Sequence, residues 1–160
     1  VEHQALYPCR GRVPDGPPDH LVAWGRARVV RPGRHVTVVA YSAAVADALE
    51  AARLLAADGI EVEVIDLRTL DAAGTDYAAI GASLERTGCL TVAEHAPACA
   101  SLGPRIAAEC QRRFFDALDG PVELVAGLDV PLAASKRLEE ASIPTAKDIA
   151  AAAARAARRR

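Results

Sequence analysis

Short β-branched runs alternate with longer stretches of helical spacing along most of this chain. The strand-like runs lie at 36–41 (VTVVAY), 60–67 (IEVEVIDL), 89–93 (CLTVA) and 122–126, and a shorter apolar run lies at 27–30. Apolar residues recur at helical spacing in the stretches 43–57, 76–86, 103–118, 136–141 and 145–157. Ser42 and Thr145 stand where helix N-caps are expected, and Gly59 stands where the first helix should end.

This alternation predicts an α/β domain built from βαβ units around a mostly parallel sheet. Parallel strands need helical crossovers, and right-handed crossovers place helices on both faces of the sheet. Ligands of such sheets bind beyond the carboxyl ends of the strands. Three segments occupy those ends here, at 41–42, 66–69 and 94–103.

The first twenty residues differ from the rest of the chain. They contain four of its ten prolines, Pro8, Pro14, Pro17 and Pro18, together with Gly11 and Gly16. Such a composition disfavours regular structure, so we interpret 1–20 as a linker or arm and 21–160 as the domain. The chain begins with Val1 and not with methionine, which suggests a trimmed start or a piece of a longer protein.

Charge and cysteine content exclude several classes of function. The formal net charge of −2 gives no reason to expect a nucleic-acid partner. No apolar run approaches the roughly 18 residues that a membrane helix needs, and no signal peptide is recognisable, so we expect a cytoplasmic protein. None of the four cysteines has the spacing of zinc ligands, and Cys89 and Cys110 fit buried positions of a strand and a helix.

Nucleotide-binding motifs do not follow the predicted strands. There is no GxGxxG or P-loop sequence, and the YSAAVAD segment after the first full strand offers no glycine to a phosphate. Asp66 and Arg68 follow the next strand, where they can hold a carboxylate or phosphate, pair with each other, or fix a loop or a neighbouring subunit. Chemistry alone favours the structural role, because structural ion pairs often resemble sites.

Glu94 and His95 end the third full strand and are the only candidates for acid–base catalysis. A carboxylate beside an imidazole at a strand end suits that chemistry. Adjacent residues of a strand point to opposite faces, however, so the two side chains cannot readily act on one atom. The other histidines, His3, His20 and His35, lie in the arm or in turns and are interpreted as surface residues.

Several motifs together resemble one family along nearly the whole chain. They are EHQALY (2–7), GRARVVRPGRHVTVVAYS (25–42), GIEVEVIDLRTL (59–70), PVELVAGLDVP (121–131) and KRLEEASIPTAKDI (136–149). They resemble the transketolase C-terminal-type domain that ends the beta subunits of thiamine-diphosphate-dependent pyruvate and branched-chain 2-oxoacid dehydrogenases. The segment 59–70 is the most specific of them and indicates the beta-subunit branch rather than transketolase proper.

The resemblance implies a three-layer α/β/α domain with a mostly parallel, five-stranded mixed sheet and one antiparallel edge strand. It implies that thiamine diphosphate and magnesium belong to the intact enzyme and are bound by other domains, with no cofactor or metal in this chain. The implied partners are an alpha-type diphosphate-binding subunit, a pyrimidine-binding domain and further copies of the chain. A lipoyl-bearing acyltransferase joins them where the enzyme works in a multienzyme complex.

Departures from the family pattern cluster at the loop edge. The family commonly has a His-Glu order or two acids where Glu94-His95 stands, and a glycine-rich loop where this chain has 99–103. Arg105 stands where the family usually has an acid. Because the resemblance gives this domain an interface role, we expect structural or interface functions for a set of five residues: Asp66, Arg68, Leu102, Gly103 and Arg105.

Two classes of function remain open from the sequence. In the first, the chain is part of a thiamine-dependent enzyme, either a 2-oxoacid dehydrogenase or a split transketolase-like enzyme, and is inactive alone. In the second, it is a binding or assembly module with the same fold and no enzyme. We expect self-association in either case, with Leu102, Phe114 and Phe115 as apolar candidates for the interface and one phenylalanine in the core.

Overall fold

The computed structural model describes residues 3–11, 16, 21–71, 73–131 and 133–159. Within these residues, five strands and five α-helices follow one another. They are β1 (Arg28–Arg31), β2 (Val36–Ala40), α1 (Ala44–Ala56), β3 (Val62–Asp66), α2 (Tyr77–Thr87), β4 (Leu90–Pro97), α3 (Gly103–Arg113), β5 (Glu123–Gly127), α4 (Lys136–Ser142) and α5 (Ala146–Ala157). Short 3₁₀ helices lie at Gln4–Leu6, Ala98–Ala100 and Phe115–Ala117.

The strands form one mixed sheet in the order β1-β3-β2-β4-β5. β1 is antiparallel to β3, whereas β3, β2, β4 and β5 are mutually parallel. The α/β class and the single antiparallel edge strand are therefore confirmed. The parallel strands aim their carboxyl ends at one edge, so the segments that follow β2, β4 and β5 meet there.

Helices cover both faces of the sheet and give it two separate apolar cores. One core packs α1 and α5 against alternate residues of β2 and β3, such as Val36, Val38 and Val64. The other packs α2 and α3 against Val39 and Ile65. Neighbouring strand residues point to opposite faces, and both faces of β2 are covered. The strand is therefore buried along its whole length, and all of its residues except Thr37 are apolar. The three-layer α/β/α architecture is confirmed.

Most strand boundaries shift by one to a few residues from the sequence prediction, and three further differences concern the first helix, α3 and the arm. Ser42 does not cap α1 with its side chain, because the helix begins after Ala43 and Ser42 takes a positive φ of 55°. α3 ends at Arg113 rather than at residue 118, since Phe114 leaves helical geometry and packs on the core against α2. The predicted irregular arm contains a 3₁₀ turn at Gln4–Leu6, while much of 12–20 lies outside the described residues.

Buried and exposed side chains follow the sequence expectation in several cases. Cys89 and Cys110 are buried, as predicted. Of the two phenylalanines, Phe114 packs against the core and Phe115 is 67% exposed. In the part of the chain that the structure describes, no helix is both long enough and apolar enough to span a membrane.

Candidate functional site

A cavity of about 570 Å³ lies where the carboxyl ends of β2, β4 and β5 meet. Its polar lining includes His3, Tyr41, Ser42, His95 and Glu139. The rest of the wall is mainly apolar and comes from the strand ends, the loop after β5 and α4: Ala44, Ala96, Pro97, Leu128, Val130 and Ile143. This position is where an open α/β sheet usually binds ligands.

Glu94 lies on the α3 side of the sheet and is fully buried. Its carboxylate accepts hydrogen bonds from the Tyr41 hydroxyl at 2.8 Å, from the Ser101 hydroxyl, and from the Gly103 N–H at 2.9 Å. The Gly103 N–H belongs to the first turn of α3, where unpaired N–H groups attract a carboxylate. Three donors satisfy the buried group, and Glu94 thereby fixes the loop 98–102 and the start of α3.

Tyr41 joins this network from the end of β2. Burial, and then the hydrogen bond to Glu94, raise the pKa of Tyr41 far above its ordinary value. The phenol therefore stays protonated and serves as a fixed donor to Glu94.

His95 lies on the other face of β4, toward α1. Its Nε2 is 2.8 Å from Oδ2 of Asp47, and its Nδ1 is 3.0 Å from Nε2 of His3. Burial lowers the pKa of His95 below its ordinary value, and the neighbouring Asp47 opposes that shift. The two side chains of the Glu94-His95 pair thus lie in different environments and do not converge on one atom.

Ser42 has the backbone geometry of a nucleophilic serine, but the neighbouring imidazole of His95 is not available to accept its proton. Ser42 has a positive φ of 55° in a strand–turn–helix segment, which is the local geometry of a nucleophile elbow. A nucleophilic serine needs an imidazole nitrogen to accept its proton. Both ring nitrogens of His95 are already engaged, one by Asp47 and the other by His3.

Arg68 follows β3 and is the centre of a tight turn. It has a positive φ of 58°, and the Thr69 N–H donates to the Leu67 carbonyl across it at 2.5 Å. The Arg68 side chain is 30% exposed, and its Nε lies 3.7 Å from Asp66 Oδ2. Asp66 also accepts from the Arg68 N–H at 3.2 Å. The pair is long and partly solvated, so it holds the turn only weakly.

The loop that follows contains stronger anchors than Arg68. The buried Thr69 accepts a hydrogen bond from the Gly25 N–H, and Asp76 accepts one from the Ala27 N–H, each at 3.0 Å. Asp76 also caps α2 through the Ala79 N–H. These bonds fix the chain that enters β1 against the β3–α2 loop.

The other expected interface residues lie at the start of α3. Leu102 is partly buried against the core, and Gly103 is buried beside Glu94. A Cβ on Gly103 would collide with the Glu94 carboxyl group, so glycine is required there for the close approach. Arg105 is exposed in the first turn of the helix.

Sequence reasoning missed the partners of the Glu94-His95 pair. Asp47 and His3 are 48 and 92 residues from His95, and no local pattern links them. His3, which the sequence places at the surface, is half-buried, and its ring packs edge-to-face on His95 with 5.1 Å between the ring centroids. Tyr41 and Ser101 could be suspected only from their positions after β2 and β4.

Metal ligation has no apparent place among these groups. Within residues 3–11, 16, 21–71, 73–131 and 133–159, no group of three or more His, Cys, Asp or Glu side chains is arranged to hold a metal ion.

Comparison with known proteins agrees with the fold. The family profile described as "Transketolase, C-terminal domain" matches residues 25–149. The chain belongs to that family. The beta subunit of the acetoin:2,6-dichlorophenolindophenol oxidoreductase of Cupriavidus necator is 40% identical over 95% of this chain and 44% of its own length. The mitochondrial pyruvate dehydrogenase E1 beta subunit of Dictyostelium discoideum is 37% identical over 99% of this chain and 45% of its own length.

This transketolase C-terminal domain therefore spans less than half the length of the curated relatives it matches. Among solved structures, a chain described as "Split gene transketolase, inactive beta4 tetramer" superposes with a TM-score of 0.74 at 32% identity. The superposition covers 91% of this chain and 46% of that chain. A transketolase from Pichia stipitis superposes with a TM-score of 0.54 at 17% identity and supports the fold alone.

Proposed function

We propose that the chain is the C-terminal assembly domain of the beta subunit of a thiamine-diphosphate-dependent 2-oxoacid dehydrogenase, without catalytic activity of its own. The observation that carries the proposal is the similarity, over nearly the whole chain, to the beta subunits of a pyruvate dehydrogenase E1 component and of an acetoin oxidoreductase. In this proposal, residues 1–20 form an arm that leads from a pyrimidine-binding domain, and 21–160 form the assembly domain.

The geometry of the carboxyl edge supports a structural rather than a catalytic role. Glu94 accepts from three donors and holds the start of α3. His95 is engaged on both ring nitrogens. Neither group presents a free atom to a substrate, so an interface function fits this edge better than acid–base chemistry.

Thiamine diphosphate and magnesium are assigned to other domains. Magnesium needs several oxygen ligands close together. Behind the cavity lining, the Glu94 carboxylate already binds Tyr41 and Gly103, and the Asp47 carboxylate binds His95. These groups do not fit a magnesium–diphosphate site. An alpha-type diphosphate-binding subunit and the pyrimidine-binding domain would supply that site in the intact enzyme.

A titration with the cofactor tests the assignment. The 160-residue chain, with magnesium present, should give no heat of binding with thiamine diphosphate by calorimetry. A polypeptide that includes the pyrimidine-binding domain, mixed with the alpha-type subunit, should bind the cofactor and reduce an artificial electron acceptor when given a 2-oxoacid. Micromolar binding of the cofactor to the chain alone would contradict the proposal.

A split transketolase-like enzyme is the second candidate, and the similarity to the split gene transketolase favours it. The same reconstituted complex separates the two. Ketol transfer between sugar phosphates without oxidation of a 2-oxoacid would select the second candidate. A complex that does neither, although it assembles, would favour a binding module without enzyme activity.

Docking of a basic lipoyl-acyltransferase domain should be weak at the C-terminal end of the chain. Arg155 and Arg159 bind Glu123 at 2.9 and 2.8 Å and occupy that acid. Arg158 remains exposed and repels a cationic partner, while Arg160 lies outside the described residues. Tight binding that removal of the last six residues does not improve would contradict this part of the proposal.

A further inference from the structure

Three elements are joined by one chain of hydrogen bonds at the edge of the cavity. Asp47 on α1 binds His95 Nε2 at 2.8 Å, and His95 Nδ1 binds His3 Nε2 at 3.0 Å. His3 is the N-cap of the 3₁₀ turn Gln4–Leu6, and its Nδ1 accepts from the Ala5 N–H at 3.3 Å. The segment before the domain is thus held on the sheet through two imidazole rings.

The direction of each hydrogen bond follows from its two ends. The Ala5 N–H can only donate, so Nδ1 of His3 accepts and a neutral His3 carries its proton on Nε2. That proton points to Nδ1 of His95, which must accept it. His95 then carries its own proton on Nε2, toward the Asp47 carboxylate. The chain is complete only when both imidazoles are neutral.

We propose that the Asp47–His95–His3 chain is a pH-sensitive latch, which docks residues 3–7 on the carboxyl edge of the sheet and releases them in acid. A second proton on His95 goes to Nδ1 and there faces the Nε2–H of His3. Two donors then oppose each other, and the His3–His95 bond is lost. The hydrogen bond from His95 Nε2 to Asp47 remains and becomes an ion pair. This ion pair stabilises the protonated ring in the released state.

The surroundings of His95 set the direction of the pH response. Asp47 comes from α1, His3 from the preceding segment, Glu139 on α4 lines the same cavity, and Tyr41 from β2 is a neutral donor to Glu94. Burial lowers the pKa of His95 in the docked state. The docked state therefore binds fewer protons, and docking weakens as the pH falls below the ordinary histidine pKa of about 6.5.

Release has a consequence for the cavity. His3 and Gln4 form part of its wall, so withdrawal of the segment opens the cavity of about 570 Å³ on that side. Through the latch, a fall in pH makes the mainly apolar cavity more accessible. The inference does not depend on the proposed function, since it concerns contacts within this chain alone.

Imidazole and amide NMR of the full 160-residue chain tests the latch. At pH 8, both His3 and His95 should be in the Nε2–H tautomer. On acidification, the amide signals of residues 4–9 should shift with the same midpoint as the His95 ring. If release raises the pKa of His95 by one unit, the ratio of docked to released molecules should fall by about tenfold between pH values above and below both pKa values. A His95 ring in the Nδ1–H tautomer, or amide signals that do not follow it, would overturn the proposal.

Two variants distinguish a latch from a passive contact. His95→Gln should abolish the midpoint in the amide signals of residues 4–9. The matched control His35→Gln should leave it in place, because the His35 ring accepts from the Glu61 N–H in the turn before β2. Asp47→Asn should move the midpoint to more acidic pH, since the carboxylate favours the protonated ring. An unchanged midpoint in His95→Gln, or a more alkaline one in Asp47→Asn, would also overturn it.

Discussion

Glu94 shows how one residue organises a loop at the scale of single side chains. Its buried carboxylate joins β2, the loop after β4 and the start of α3 through Tyr41, Ser101 and Gly103. A buried carboxylate is tolerated only when its hydrogen bonds are satisfied, so these three partners depend on one another. The absence of a side chain at residue 103 is what allows the close approach.

Gly103→Ala should therefore destabilise the domain. The added methyl group displaces the Glu94 carboxyl group and weakens its bonds, at a cost of about 1–3 kcal/mol in the free energy of unfolding. Urea denaturation measures the change. Gly11→Ala is the matched control, because a Cβ there meets open space. Equal stability of the two variants would show that Glu94 is not held as described.

Substitutions of Arg68 should cost little stability, in contrast to Gly103→Ala, because the Arg68 backbone is strained and its side chain is weakly bound. Replacement by glycine relieves the positive φ of 58° and should leave stability unchanged or raise it by up to about 1 kcal/mol. Arg68→Ala keeps the strain and should cost less than about 1 kcal/mol, since only a solvated 3.7 Å ion pair is lost. Thermal melting of both variants checks this, and a larger loss of stability in Arg68→Ala would contradict the weak pairing with Asp66.

At the scale of elements, local periodicity predicted the strands and helices well where both faces are buried. β2 and β3 follow the apolar runs, and the opposite directions of Glu94 and His95 follow from strand geometry. Predictions failed where tertiary contacts decide. Phe114 ends α3 early because it packs on the core, and His3 is only half-buried, by contact with a residue 92 positions away. No local sequence signal contains such contacts.

The N-terminus of α5 has a capping motif whose loss should destabilise the domain. Thr145 and Asp148 form a reciprocal capping box at the start of α5. Thr145→Ala should cost about 0.5–2 kcal/mol, because the orphan N–H groups of the first turn lose an acceptor. The hydrogen bonds from Thr145 lower the pKa of Asp148 below its ordinary value.

The sign of the pH effect follows from that shift. The contribution of Asp148 is present above the ordinary aspartate pKa and is lost as the pH falls through the lower pKa of the folded state. The difference in stability between the wild type and Asp148→Asn should therefore shrink in acid. Urea midpoints at neutral and acidic pH measure it, and a difference that grows in acid would contradict the capping assignment.

At the scale of the whole molecule, exposed apolar side chains gather around α4 and the loop before it. Leu128 and Val130 in the loop are 57% and 50% exposed, and Leu138 on α4 is 62% exposed. The Leu128 N–H donates to the Ser142 carbonyl, which ties the loop to the end of α4. Single exposed leucines are common, but several on adjoining elements indicate an interface.

We expect the chain to self-associate through this surface. Removing a buried leucine from an interface costs about 1.5–3 kcal/mol, so Leu138→Ser should raise the dissociation constant by roughly tenfold to a hundredfold. Phe115→Ser is the matched control, because Phe115 is equally exposed but follows α3 rather than α4. Sedimentation at several concentrations measures both. A strict monomer at high concentration would contradict self-association, and dissociation by Phe115→Ser instead of Leu138→Ser would place the interface beside α3.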